Sequence, residues 1–461
     1  MSPKTSGGSW AGLTGFRSEK DVNIDIAIDH HFTSKVYTTG DTIAGAITIN
    51  TRKEFRFDSV EVCFTGTTTS SIDVVHPHAA PMHHTFLELS LPIEDGCLPD
   101  SQAFEVGETC SIPFTFVVPS RLPSGSCHHL CGPELKEKHS LLPPSMGTWE
   151  GNDQSPETAR VEYAVKVQVA QYQLRNGKHR VVSAQETVNV VPYRPGEGAL
   201  QIMSNVEKYR LVQGKTIRQG VLSPAKGYLE VSGAQPEPVI LSPDSLSTSS
   251  FSAHLHLSFT PTSATISPPN ISSIKARIIS ETYFSLTPIN CIPNLRSLDE
   301  SQAWPIMSYS TTHDLALANI PKPIWEQASL LGNSTKSSLG CHGSTSQSKT
   351  RIPGVRKRSS REDSIRHVAS LSLPLTLPTS KKNFFLSSFH SCFLSRTYTL
   401  HLTLAEGPFS TAIYLALPLQ VVTSNSTGVE VGELPPYNAD VLQRETPNED
   451  PPSYGQTAAR V

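Results

Sequence analysis

The chain has 461 residues with a formal net charge of −3, and its composition is 37% hydrophobic and 17% charged. This balance provides no overall basic surface, so we expect no nucleic-acid partner. The 36 prolines and 28 glycines favour short strands and turns, and the length suggests two or three domains.

The N-terminal segment and the cysteines indicate a cytoplasmic protein. Residues 1–20 are rich in glycine and serine, contain no apolar signal sequence and are predicted to be disordered. No stretch approaches the roughly 18 apolar residues that a membrane-spanning helix needs. The eight cysteines are scattered along the chain, so we expect reduced thiols rather than a disulfide framework.

Alternating apolar residues predict short β-strands from residue 22 onwards. After an opening strand over 22–28, residues 36–66 contain two strand patterns joined by a polar connection. Their inward positions are Ile43, Gly45, Ile47 and Ile49 in the first pattern and Val60, Val62 and Phe64 in the second. We predict that the two patterns form an antiparallel hairpin whose apolar face is covered by a second layer.

The rest of the first half continues this strand pattern. Residues 112–118 alternate up to Pro119, residues 125–158 form an irregular insert, and alternation returns at 161–169 and 188–191. About seven short strands separated by turn signals are typical of a β-sandwich, which we place at residues 21–192.

The second half contains another strand-rich block. Residues 193–222 are the expected interdomain connection, and residues 223–422 form the second block, interrupted between about 288 and 380. Within the interruption, the serine-rich composition of about 330–370 predicts disorder, because it buries too little apolar area to offset the ordering entropy. Residues 320–331 are the best candidate for one short helix.

Two stretches resemble the N-terminal domain of arrestins, in the fungal type of the α-arrestin (arrestin-related trafficking adaptor) family. The first is Y-x-x-G-D-x-I-x-G-x-I-x-I followed by V-x-V-x-F-x-G, over residues 37–66. The second is F-x-F-x-x-P-x-x-L-P-S, over residues 114–124. The resemblance implies an all-β protein with two arrestin-like immunoglobulin-type β-sandwich domains, a disordered insert and a disordered tail.

The polar tail, residues 423–461, carries two proline–tyrosine (PY) motifs. A P-P-x-Y match ends at Tyr454, and the looser L-P-x-Y variant ends at Tyr437. Adjacent prolines preset a polyproline II ridge, which WW domains bind between aromatic rings. The predicted WW-binding residues are Pro451, Pro452, Tyr454, Leu434, Pro435 and Tyr437.

The resemblance and the tail together suggest a function without catalysis. No G-x-S-x-G, phosphate-binding loop or H-E-x-x-H motif is found, so we predict no enzyme activity. The resemblance implies a cytoplasmic adaptor, recruited to the plasma membrane and endosomes, that brings a WW-domain HECT-type ubiquitin ligase to membrane transporters or receptors for ubiquitination and endocytosis. The alternatives are an arrestin-like scaffold of ambient-pH or receptor signalling, and a β-sandwich module with a chance proline tail.

Two histidine-rich stretches raise the alternative of a zinc site. The candidate ligands are Cys127, His128, His129, Cys131 and His139 in one stretch, and His76, His78, His83 and His84 in the other. A structural zinc site usually needs four well-spaced ligands, and the first stretch offers one C-x3-C pair inside a predicted loop. We favour solvated loop histidines, and predict no stoichiometric zinc and no other cofactor.

The basic run over residues 351–361 is the last candidate. The run could contact anionic lipid headgroups or act as a nuclear localisation signal. It also places Ser359 and Ser360 after basic residues, which suits phosphorylation by a basophilic kinase. Phosphorylation there would weaken an electrostatic contact, since it adds negative charge to a positive run. The competing interpretation is a solvated charge run in a disordered loop.

Overall fold

The computed structural model describes ten segments of the chain. They are residues 21–71, 81–173, 178–202, 206, 208–218, 223–295, 306–317, 322–328, 365–405 and 412–424. The described residues are almost entirely β, with 53% in strands and 3% in helix, which confirms the predicted all-β class. Among them, no helix is both long enough and apolar enough to cross a membrane.

Ten strands and one helix belong to the N-terminal half, residues 21–192. Their bounds are β1 Val22–Ile28, β2 Val36–Tyr37, β3 Thr42–Thr51, β4 Phe55–Arg56, β5 Ser59–Ser70, β6 Met82–Ser90, β7 Ala103–Phe104, β8 Thr109–Val117, α1 Pro133–His139, β9 Ala159–Gln173 and β10 Lys178–Val190. The strands form a three-stranded sheet, β1-β3-β8, a five-stranded sheet, β2-β10-β9-β5-β6, and the small pair β4-β7. A hydrophobic core lies between the two larger sheets.

Strands β3 and β5 are not the predicted hairpin. Strand β3 pairs with β1 and β8, whereas β5 pairs with β6 and β9 in the other sheet. Five of the seven inward residues are buried as expected, whereas Gly45 and Val60 are partly buried, and the two strands face each other across the core. The connection carries Phe55 and Phe57, whose buried side chains anchor a crossover between sheets, and alternation alone does not distinguish a crossover from a hairpin turn.

Gly45 in β3 is required by a close approach of neighbouring strands. A Cβ atom at this position would lie 2.1 Å from the carbonyl oxygen of Ala27 and 2.8 Å from the ring of Phe114. A side chain would therefore push β1 away from β3, because both contacts are closer than van der Waals packing allows.

The segment predicted as an irregular insert contains the α-helix. Helix α1 begins with Pro133, which suits the first helical turn because the missing N–H would have no partner there. Leu135 and His139 are four residues apart, so they lie on one face of the helix, and both are buried. Seven residues are too few to give a clear helical period in the sequence.

The C-terminal half, residues 193–424, contains the remaining strands and a short 3-10 helix over Pro293–Leu295. The strands are β11 Val212–Arg218, β12 Ala225–Gly233, β13 Val239–Leu241, β14 Phe251–Pro261, β15 Ser273–Phe284, β16 Met307–Leu315, β17 Glu326–Ala328, β18 Arg366–Leu375, β19 Phe389–His390, β20 Leu394–Ala405, β21 Ile413–Leu419 and β22 Val421–Thr423. One sheet has the order β11-β12-β14-β18-β17, and the other β16-β15-β20-β19 with β21 also paired to β20. A leucine-rich core fills the space between them, and β13 and β22 form a separate parallel pair.

Three strands of the second half differ from what the sequence predicts. Strand β11 lies inside the expected connection 193–222, and β17 replaces the helix expected over 320–331. Strand β18 covers residues 366–370, the end of the insert predicted to be disordered; its earlier part, 330–364, lies outside the described residues. In β17 and β18, Ala328 is the register partner of Arg366, so pairing between distant segments overrides local propensity.

The two halves belong to one compact unit that extends to Ser424. Five buried apolar residues of the C-terminal half lie in the N-terminal core cluster: Phe284, Phe384, Leu386, Phe389 and Leu394. Buried hydrogen bonds also cross the junction, including one from Ser70 Oγ to the Ser285 carbonyl at 2.9 Å.

Arg396, on β20, occupies the polar part of this junction and is fully buried. Its Nε donates to Thr282 Oγ1 at 2.9 Å, and its Nη1 donates to the Asp153 carbonyl at 3.0 Å. Nη2 lies 3.7 Å from Met146 Sδ. Each guanidinium nitrogen therefore has a partner, and two of these partners belong to the N-terminal half.

Candidate metal centre

The residues predicted to bind WW domains lie outside the described residues. This applies to Pro451, Pro452, Tyr454, Leu434, Pro435 and Tyr437, and also to Ser359 and Ser360 in the basic run. His76 and His78 are likewise outside. His83 and His84 lie on β6 rather than in the predicted loop, and His84 packs against the Phe393 ring at 4.8 Å between centroids.

The other histidine-rich stretch folds into a buried cluster of cysteine and histidine side chains. After β8, the chain brings Cys127 into the interior, and helix α1 then places His139 on its buried face. His129, between them, is half-buried, whereas its neighbour His128 is exposed. The loop therefore separates the two adjacent histidines, which the sequence alone does not distinguish.

The fourth member of the cluster, Cys392, comes from the turn between β19 and β20. Ser391 fixes this turn, because its Oγ donates to the Leu394 carbonyl at 2.8 Å and accepts from the Leu394 N–H at 3.2 Å. Cys392 is buried and lies 253 positions beyond His139 in the chain. The turn thus holds the thiol of Cys392 against the N-terminal half.

His139 is the centre of the cluster. Its Nδ1 lies 3.6 Å from Cys127 Sγ and 3.7 Å from Cys392 Sγ. One ligand atom from each of Cys127, His129, His139 and Cys392 lies within 4.8 Å of every other. A further thiol is adjacent, since Cys131 Sγ lies 3.8 Å from Cys127 Sγ.

Burial shifts the pKa values of His129, His139 and Cys392 towards the uncharged forms of these groups. Burial, and secondarily the neighbouring His129, lowers the pKa of His139 to about 4. Burial, followed by the neighbouring Cys127 thiol, raises the pKa of Cys392 to about 12. His129 also has a pKa below the usual range because of burial, which is partly opposed by the backbone of Leu130. Neutral imidazoles offer a lone pair, which is the form that binds a metal ion.

The protein satisfies this cluster poorly. Among the described residues, His139 Nε2 is buried without a hydrogen-bond partner, and neither ring nitrogen of His129 has a well-formed one. The contacts of His139 Nδ1 are thiol sulfurs, which are weak hydrogen-bonding groups. Buried polar atoms in folded proteins nearly always have partners, so a group of such atoms calls for an explanation.

The sequence indicated three members of this cluster and missed the fourth. Cys127, His129 and His139 were candidates, but the expectation of no zinc rested on counting ligands within one loop. That argument could not include Cys392, which belongs to a different segment. Its neighbours, Ser391 and Phe393, form no metal-binding motif, so local sequence carries no signal for it.

The chain was also compared with known proteins. No family model and no curated protein matches it. The functional interpretation therefore depends on the residues of this chain and on their arrangement.

Proposed function

We propose that this chain is an arrestin-like cytoplasmic adaptor. It recruits a WW-domain HECT-type ubiquitin ligase to plasma-membrane transporters or receptors and so promotes their ubiquitination and endocytosis. The observation that carries the proposal is the order of parts: two β-sandwiches in one compact unit, then two PY motifs beyond Ser424.

The sandwich body supplies a stable platform for the cargo. Two separate hydrophobic cores stabilise the halves, while shared apolar residues and the buried Arg396 contacts hold them together. A rigid body of this kind holds its loops and strand edges in fixed positions. Proteins with β-sandwich folds commonly bind partners through such loops. The body therefore has the properties that an adaptor needs on its cargo-binding side.

The tail supplies the ligase-binding side. Its two motifs place Tyr437 and Tyr454 seventeen positions apart, which corresponds to roughly 20 Å for a flexible chain. Two WW domains of one ligase can therefore bind together, and avidity then increases the apparent affinity by about 100-fold. Catalysis in this scheme belongs to the ligase, and the adaptor raises the local concentration of cargo.

Mutation of the tail tests the proposal. In the full chain, Tyr454→Ala is expected to lose most binding to a tandem WW-domain fragment, and Tyr437→Ala to lose less. The reason is that Leu434 replaces the first proline of its motif, so more chain entropy is lost on binding. The double variant is expected to bind more than about 100-fold more weakly than wild type, because both contacts and the avidity between them are lost.

Binding should be measured by isothermal calorimetry, with Ser453→Ala as the matched control at the variable position of the P-P-x-Y motif. In cells, the double variant is expected to leave transporter or receptor cargo at the surface. Wild-type binding and cargo clearance by the double variant would contradict the proposal.

A further inference from the structure

The buried cluster of Cys127, His129, His139 and Cys392 has the composition of a metal site. Two sulfur and two nitrogen ligands in a tetrahedral arrangement are typical of zinc. We propose that these four side chains bind one zinc ion, which links the two halves of the molecule. This inference is independent of the adaptor function, because it concerns the body and not the tail.

Two distances within the cluster match edges of a zinc tetrahedron. With zinc–sulfur bonds of about 2.3 Å and zinc–nitrogen bonds of about 2.0–2.1 Å, a sulfur–nitrogen edge is about 3.6 Å. The two distances from His139 Nδ1, to Cys127 Sγ and Cys392 Sγ, are 3.6 and 3.7 Å. His129 completes the set within the 4.8 Å span of the cluster. The four ligand atoms are therefore close enough to converge on one ion.

Charge also favours zinc at this position. When zinc binds, the thiols of Cys127 and Cys392 release their protons to solvent, and the two resulting thiolates balance the divalent cation, with neutral imidazoles as the other ligands. A neutral assembly is compatible with burial, whereas an isolated charge in the same place would be strongly unfavourable. The ion would also give a partner to one ring nitrogen of His129, neither of which has a well-formed one among the described residues. Four protein ligands close the coordination sphere, which makes this a structural site and not a catalytic one.

The adjacent thiol of Cys131 defines the main competing interpretation. Its Sγ is 3.8 Å from Cys127 Sγ, well beyond the disulfide bond length of about 2.05 Å, and no disulfide is formed by the seven cysteines among the described residues. Cys131 is more exposed than Cys127 and does not belong to the group of four converging ligand atoms. We therefore assign His129, and not Cys131, as the fourth ligand.

The position of the site in the fold gives the ion a structural role. Three ligands come from the loop and helix that follow β8, and the fourth from the β19–β20 turn of the C-terminal half. One ion therefore joins two segments that are 253 positions apart. Because binding requires both segments in place, the zinc stabilises the joined arrangement of the halves over any separated one.

Metal analysis of the full chain, purified without chelators and supplied with zinc, tests the site. Native mass spectrometry is expected to show one zinc per chain in wild type. Removing any one direct ligand is expected to lower the zinc affinity by at least about 100-fold, because removal of even an outer-shell partner costs about 10–100-fold. The four ligand variants are Cys127→Ser, His129→Ala, His139→Ala and Cys392→Ser. The matched controls Cys97→Ser, His128→Ala and Cys131→Ser should keep one zinc.

A second measurement uses only the wild-type chain, so it tests the site even if the variants fail to fold. Metal-free wild-type chain should be titrated with cobalt(II), which gives intense visible bands in tetrahedral sites and a thiolate-to-metal charge-transfer band. One equivalent producing both features, displaced by zinc, is the expected result. A wild-type chain that binds neither ion, or that carries a Cys127–Cys131 disulfide in their place, would overturn the proposal. Loss of zinc in Cys131→Ser but not in His129→Ala would overturn the ligand assignment.

Discussion

Arg396 and His139 occupy two buried polar sites that join the same halves of the molecule, but the protein satisfies them differently. All three nitrogens of Arg396 contact polar or sulfur atoms of the chain. His139 contacts two thiols through Nδ1, while its Nε2 has no partner among the described residues. The polar groups of the Arg396 site thus find their partners within the protein, whereas the His139 site has the composition of a site that binds a metal ion.

A buried polar group can find its partners within the protein or in a bound ligand. Where hydrogen bonds are satisfied internally, the polar group acts as part of the packing and fixes how the elements meet. Where several metal-ligating side chains converge without good mutual partners, their convergence suggests a component outside the chain. The two sites should therefore respond to different perturbations, and three experiments separate them.

The largest effect is expected at Arg396. Arg396→Ala should lower the free energy of unfolding by about 3–5 kcal/mol, because it creates a cavity and leaves the Asp153 carbonyl and Thr282 without their partner. Chemical denaturation measures the loss. If the variant folds, it should still bind one zinc, since none of the zinc ligands contacts Arg396 among the hydrogen bonds of this site.

Arg277→Ala is the matched control for that experiment. Arg277 lies on the neighbouring strand β15 and pairs with Asp314 at 2.7 Å, but both side chains are mostly exposed. An exposed ion pair contributes only about 0–1 kcal/mol. Equal losses for the two arginine variants would show that the junction at Arg396 contributes no more than surface charge.

Metal removal should have an intermediate effect. At free zinc a hundred times the dissociation constant, stripping the metal from wild type should lower the free energy of unfolding by about 2.7 kcal/mol. Cys392→Ala should show no such response to a chelator, because the ion is already lost. Cys97→Ser should respond as wild type does. A response of Cys392→Ala equal to that of wild type would place the stabilising metal elsewhere.

The smallest effect is expected at Ser70, which crosses the same junction with a single hydroxyl. Ser70→Ala should cost about 1 kcal/mol, the usual net value of a buried hydrogen bond, because its donation to the Ser285 carbonyl is lost. Ser111→Ala, at an exposed position of β8, should stay within about 0.5 kcal/mol of wild type. Thermal or chemical unfolding distinguishes these values. An unchanged free energy of unfolding in Ser70→Ala would show that this hydrogen bond does not stabilise the fold.

Much of the fold was predictable because strand alternation is a local signal. The buried faces of β3, β8 and β9 coincide with alternating apolar residues, and the all-β class follows from them. Pairing is not local. The crossover from β3 to β5 depends on which sheet each strand joins, and the short strand β17 exists because β18 is beside it.

The candidate site was predictable only within one segment, for the same reason. The spacing of Cys127, His129 and His139 is visible in the sequence, although the burial of His129 and not His128 depends on the folded loop. Cys392 has no spacing relation to the others. Its role follows from the meeting of the two halves, which no local pattern encodes.

The register between β17 and β18 has a practical consequence. Ala328 and Arg366 are paired, and β17 is the edge strand of its sheet among the described residues, so the two ends of the intervening segment are held side by side. The entropic cost of closing a loop grows slowly, by about 0.6 kcal/mol for each doubling of its length. We therefore expect length changes between residues 328 and 366 to cost the sheet little, which makes this position a candidate for inserting a reporter domain.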